Sequence, residues 1–168
     1  MAVEESVFLV DPDSHPVAIK IVGRASFQNV MPLKDFLKDS AESGKRCYVF
    51  DFAECTGMDS TVLGVLAGCA LELRKREPQG SVVLSRLSER NQELVRSLGL
   101  HRIAKLDTRK DEDPDIQGAK SLNNGEMDEL ESARLCLEAH EKLVEADREN
   151  QAKFQDVISY LKNRVSGE

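Results

Sequence analysis

The residues whose types and spacing suggest chemistry are Asp59, Ser60 and Thr61. They follow Arg46-Cys47-Tyr48-Val49-Phe50-Asp51-Phe52-Ala53, a β-branched and aromatic run with one charge inside it, which suits a strand buried on both faces. Glu54 to Met58, with Gly57, is expected to turn the chain. Val62, Leu63, Leu66, Ala67, Ala70 and Leu73 then fall on one broad side of a helix. Asp59 or Ser60 is the natural N-cap, because a short side-chain oxygen accepts from the free amide two or three residues on. A hydroxyl thus stands at a helix N-terminus, where unpaired amides and the positive end of the helix dipole favour added negative charge. A phosphate on Ser60 would gain those donors but would sit beside the Asp59 carboxylate. A plain cap needs the same residues, and Leu63 stands where the acidic member of a capping box would be.

Other chemistries find less support. A nucleophile elbow requires G-x-S-x-G, yet Gly57 is three residues before Ser60 and Val62 replaces the second glycine. Neither G-x-x-x-x-G-K nor G-x-G-x-x-G occurs, so no nucleotide site is expected. Cys47, Cys55, Cys69 and Cys136 form no C-x-x-C pair and read as buried reduced thiols. His15, His101 and His140 are far apart in sequence, and no metal site or cofactor is expected. The chain is read as a non-enzyme.

The 168 residues are 40% hydrophobic and 32% charged, which allows one domain and an appendage. No apolar run approaches the ~20 residues that cross a bilayer. Met1 to Glu5 lacks the basic-then-apolar order of a signal peptide, so a cytoplasmic protein is expected. Acidic and basic side chains balance over residues 1–106, while 107–168 carry the whole net charge of −7. An acidic appendage argues against nucleic acid, which demands clustered Lys and Arg.

The elements that must position Ser60 alternate along the chain. Val7 to Val10 and Val17 to Val22 are short strands joined by Asp11-Pro12-Asp13-Ser14-His15-Pro16, an edge hairpin closed by Gly23. Asn29 to Ser43 is an amphipathic helix with Pro32 in its opening turn. After the central strand and helix come a strand at Ser81 to Leu84, a helix capped by Ser88, and a weak strand at Ile103 to Leu106. An initial hairpin followed by alternating helices and strands is an α/β fold with a mixed sheet packed by helices. Gly64 and Gly68 form a G-x-x-x-G step, read as close packing of the central helix on the sheet.

Residues 107–125 are acidic and polar and read as a linker after a domain at 1–106. From 126 to 165 no Pro or Gly interrupts a long C-terminal amphipathic helix, although two helices folded as a hairpin fit as well. Leu130, Leu137, Val144, Ile158 and Val165 recur at seven, with Ala133, His140, Asp147, Phe154 and Leu161 as a mixed second row, which points to self-association or docking.

The segment from Val49-Phe50-Asp51-Phe52 through Met58-Asp59-Ser60-Thr61-Val62-Leu63-Gly64-Val65-Leu66 resembles the signature of STAS domains, the sulphate transporter and anti-sigma-factor antagonist family. The element order around it agrees over residues 6–106, as does the ending Leu94-Val95-Arg96-Ser97-Leu98-Gly99-Leu100. The resemblance implies a STAS-like fold and a partner-switching signalling protein acting in transcription regulation. In the family's antagonists the serine after the motif's aspartate is phosphorylated by a serine kinase that is also an anti-sigma factor, and a phosphatase restores the form that binds it. By that resemblance Ser60 is the phosphorylation site, and Asp59, Ser60, Thr61 and Val62 form the partner-docking surface. Val62 departs from the glycine many antagonists carry there. Other members only scaffold complexes, so the second expectation is a scaffold that oligomerises or recruits partners through 126–165.

Overall fold

The computed structural model describes residues 7–107, 119–122 and 126–167. Most of the expected linker therefore lies outside the described residues. The strands are β1 (Phe8–Asp11), β2 (Val17–Ala25), β3 (Cys47–Met58), β4 (Ser81–Ser85), β5 (Lys105–Asp107) and β6 (Lys120–Ser121). They form one sheet in the order β5-β4-β3-β2-β1-β6. β2 to β5 pair in parallel, whereas β1 runs antiparallel to β2 and β6 antiparallel to β1. The hairpin and the alternation are as expected, and the sheet is mixed because only the hairpin can reverse direction without a crossover.

The helices are α1 (Met31–Glu42), α2 (Ser60–Lys75), α3 (Glu89–Ser97), α4 (Glu129–Ala146) and α5 (Asn150–Ser166). α1 buries Leu33, Leu37 and Ala41, a stripe at helical spacing, and the Tyr48 hydroxyl on β3 donates to Ser40 Oγ at 2.8 Å. Ser88 caps α3 by accepting from the Asn91 amide at 3.1 Å.

Three local expectations are corrected. The turn expected at Glu54 to Met58 is absent. β3 continues to Met58, and register shifts against β2 between Lys20 and Val22 and between Gly23 and Arg24 absorb the irregular residues. The 126–165 segment is the hairpin rather than one helix, broken at Asp147-Arg148-Glu149. There Asn150 is fully buried and its amide donates to Leu98 O at 2.8 Å and Leu143 O at 2.7 Å, capping carbonyls of two helices at once. The G-x-x-x-G step does not face the sheet. A Cβ built on Gly64 would lie 2.2 Å from Ala139 O of α4, and one on Gly68 would lie 3.3 Å from Lys142 Cγ.

This last arrangement explains α2. Every residue from Thr61 to Ala67 is buried, as befits a helix apolar all round and covered on both sides. Val62, Leu63, Leu66, Ala70 and Leu73 join the core with β3's Tyr48, Phe50 and Phe52. The other side receives α4 through Leu135, Ala139, His140 and Leu143, not through the seven-residue row, whose Leu130, Leu137 and Val144 are half-buried. No helix among the described residues is long and apolar enough to cross a membrane.

Candidate functional site

Asp59 is the cap of α2. Its Oδ1 accepts from the Val62 amide at 3.0 Å, and its Oδ2 accepts from the Phe27 amide at 2.8 Å. One carboxylate thus satisfies a helix-end donor and ties the loop between β2 and α1 to the same spot. Phe27, which that bond holds in place, is 39% exposed, one of few large apolar side chains at the surface.

Ser60 opens α2 and is half-buried. Its Oγ lies 2.8 Å from His140 Nε2, eighty residues away on α4. The other ring nitrogen, Nδ1, lies 2.7 Å from Cys136 O. A carbonyl only accepts, so Nδ1 carries the hydrogen; in the neutral ring Nε2 then accepts from the Ser60 hydroxyl. The imidazole is 5% exposed and meets Phe154 of α5 edge to face, with ring centroids 4.9 Å apart. Close by, burial pushes the Cys136 thiol up, the Thr61 side chain works against that, and the Asp59 carboxylate adds to it.

The expected docking residues therefore meet different fates. Asp59 and Ser60 reach the surface in part, Thr61 is 4% exposed beneath α4, and Val62 is wholly in the core. The side chain that replaces glycine at 62 offers no surface here. His140 was not legible as a neighbour of Ser60, because only the fold of α4 back onto α2 brings it there.

A serine within hydrogen-bond reach of a histidine is also the pairing used by nucleophilic enzymes. Here the ring's second nitrogen is held by a backbone carbonyl rather than a carboxylate. The cleft of about 290 Å³ between α1, α2 and α4, lined by Lys34, Leu37, Val65, Cys69, Leu135 and Lys142 among others, includes neither Ser60 nor His140. The dyad sits at the packed interface between α2 and α4.

The four cysteines are free. Burial, helped by the Glu72 carboxylate, pushes the Cys69 thiol from 9.0 up to about 12. The folded state holds this proton more tightly than the unfolded chain, so the associated stability is complete below pH 9 and is lost as the pH rises toward 12. The melting temperature of the wild type is thus expected to fall more steeply than that of Cys69→Ala between those values. Parallel curves in a pH series of thermal melts would contradict this. Among the described residues no group of three His, Cys, Asp or Glu side chains is arranged to hold a metal.

A second polar site lies where the middle of β3 meets the end of β4. Asp51 is fully buried; its Oδ1 accepts from Arg86 Nε at 2.9 Å and its Oδ2 from Arg86 Nη2 at 2.6 Å. Arg86 holds a left-handed backbone, φ +57°, uncommon for a residue with a Cβ.

Comparison with known proteins adds the following. A family model described as Mlab, STAS domain, matches residues 8–107. The structure of a Bacillus cell fate determinant, SpoIIAA in its phosphorylated form, aligns with a TM-score of 0.50 at 18% identity, covering 61% of this chain and 93% of that one. The anti-sigma factor antagonist SpoIIAA in its unphosphorylated form aligns with a TM-score of 0.48 at 19% identity, covering 53% and 81%. A search of curated proteins finds no match. At these identities the structural likeness is one of fold, and the family match ends at residue 107, before α4 and α5 begin.

Proposed function

The chain belongs to the STAS domain family, and we propose that it works as a phosphorylation-switched protein-binding module of the anti-sigma-factor-antagonist kind. The observation that carries this reading is the position of Ser60: the first residue of α2, directly after its Asp59 cap, with a half-buried hydroxyl. In this reading residues 1–106 form the binding domain, 107–125 a linker and 126–165 an appended regulatory element. Unmodified, the Asp59-Ser60 corner docks a serine-kinase anti-sigma factor, with exposed Phe27 beside it as the apolar anchor. The kinase transfers the γ-phosphoryl group of ATP to Ser60 Oγ, releasing ADP and the hydroxyl proton. A phosphatase returns the serine by hydrolysis, releasing inorganic phosphate. The protein itself contributes no catalysis, and its free thiols suit a reducing cytoplasm.

The phosphate adds about −1.5 to −2 charges beside the Asp59 carboxylate. The α2 amides offset roughly 0.3–1 kcal/mol of that, so the domain stays folded. A partner presenting apolar or acidic surface has no such compensation, and every ~1.4 kcal/mol lost weakens it tenfold. Ser60→Asp is expected to leave the main thermal transition nearly unchanged while abolishing capture of an anti-sigma kinase, whereas Ser60→Ala captures it constitutively. Phosphate incorporated from labelled ATP should appear on Ser60 and persist in Thr61→Ala. Label on Thr61, or on neither residue, would defeat the assignment.

One observation favours a second reading. Val157 and Tyr160 of α5 are 42% and 63% exposed, an apolar pair suited to scaffolding or self-association through the C-terminal hairpin. Sedimentation of the Val157→Glu/Tyr160→Glu variant separates the two: a dimer that becomes a monomer supports the scaffold.

A further inference from the structure

The α2 face that carries Ser60 is already occupied by another part of the same chain. Ser60, Gly64 and Gly68 recur every fourth residue and therefore line one row of the helix. Onto that row α4 lays its own small residue, Ala139, so closely that the backbones meet: a Cβ on Gly64 would lie 2.2 Å from Ala139 O and 2.6 Å from Ala139 Cβ. Beside this contact His140 takes the Ser60 hydroxyl, and Cys136 comes near enough to Asp59 and Thr61 for both to act on its thiol. The hairpin is fastened at its margins too. Lys34 Nζ of α1 lies 2.7 Å from Glu138 Oε2, Asn150 donates to Leu98 O, and Lys153 bonds Ser97 O.

We propose that the α4–α5 hairpin is an intramolecular occupant of the Ser60 face, latched by the Ser60–His140 hydrogen bond, and that a docked hairpin and a phosphate on Ser60 exclude one another. The proposal rests on the switch reading for the identity of the modification, not for the contact itself.

The physical ground is the direction of the latch. Nδ1–H is committed to Cys136 O, so Nε2 presents a lone pair and needs a donor. The serine hydroxyl is one; a phosphate dianion offers only acceptors and brings its charge next to Asp59. The ring is buried and wedged between Ser60 and Phe154, which leaves a phosphoryl group at Oγ the space His140 now fills. While the latch is closed, a kinase that must reach Oγ competes with α4, as does any partner docking at the Asp59-Ser60 corner. Its natural competitor is a surface that presents a helix with a small residue where Ala139 now sits.

Cys136 supplies a native reporter, because its side chain is half-buried at this interface and becomes more accessible when the hairpin lifts. The test uses the full chain in three forms: wild type, a chain with phosphoserine installed directly at position 60, and Ala139→Leu, which changes only the hairpin side of the contact. Alkylation of Cys136 by iodoacetamide is followed by peptide mapping, together with hydrogen exchange of the 129–166 amides. Both altered chains should alkylate Cys136 about 10-fold faster or more, as expected when a docked segment becomes locally open. They should lose protection in α4 and α5 while β2 and β3 amides stay protected as in the wild type. Unchanged or stronger hairpin protection in the phosphoserine chain would overturn the proposal, since it would mean that His140 takes up a proton and holds the phosphate. So would a wild-type dimer in sedimentation whose dissociation on dilution alone exposes Cys136, which would place the hairpin on a second copy. Because the phosphate is installed without a kinase, these results stand apart from whether an anti-sigma kinase is the partner; the capture experiment on Ser60 variants decides that separately.

Discussion

Arg86→Ala is expected to destabilise the protein by about 3–5 kcal/mol, the usual consequence of leaving one member of a buried ion pair alone. Asp51 has no exposed surface, and both its oxygens are engaged by the guanidinium, with Oδ1 also accepting from the Ala53 amide at 3.1 Å. Removing Arg86 strands a carboxylate in the interior beside the β3–β4 ladder, where Asp51 stands opposite Ser85. For a chain of this size ~1 kcal/mol moves the melting temperature by roughly 2–4 °C, so a fall of about 6–20 °C is expected. The double variant Asp51→Leu/Arg86→Met should recover much of the loss, because the penalty belongs to the unpaired charge more than to the absent bond. Calorimetry of the two proteins checks this. Equal melting temperatures in Arg86→Ala and the wild type would mean that water reaches the carboxylate.

Gly99→Ala is expected to destabilise the protein through two separate effects. Gly99 has φ +79°, where a Cβ costs about 1–2 kcal/mol. The added Cβ would also lie 2.4 Å from Asp147 Oδ2 and 2.7 Å from Asp147 Cβ. Asp147 belongs to the break between α4 and α5, where its Oδ1 accepts from the Glu149 amide at 3.0 Å. The substitution therefore strains the exit of α3 and pushes away the hairpin turn. Gly23 provides the control: it has the same φ, +79°, and nothing within 4 Å of its would-be Cβ. Gly23→Ala should cost the backbone term alone. The excess in Gly99→Ala should shrink when Asp147 is also changed to alanine, read as unfolding free energies from urea titrations. If both glycine variants lose the same stability, the hairpin turn yields without cost and the contact has no energetic weight.

Much of this architecture follows from local sequence. The Asp11-Pro12 to Pro16 turn, the alternation in Val17, Ile19 and Ile21, the Ser88 cap and the strand-to-helix handover at Asp59 each report on a few neighbouring residues. The position of Ser60 at a helix N-terminus was legible for the same reason, since a helix N-terminus is written in the residues that form it. The apolar residues of α2 from Val62 to Leu73 likewise marked one broad side for burial.

What covers the second side was decided only by tertiary structure. The seven-residue row of α4 and α5 competes with Leu135, Ala139 and Leu143 at four-residue spacing, and periodicity alone does not rank two faces of one helix. Asp51 shows its charge in the sequence, but its partner Arg86 lies 35 residues away. Gly64 reads as a small residue without saying what approaches it, and His140 reads as a seam position without naming the serine it will meet. Local chemistry determined where a hydroxyl stands on a helix end. Long-range packing, in which Asn150 breaks the C-terminal helix and Gly64 admits α4, decided that the hydroxyl faces an imidazole from the same chain.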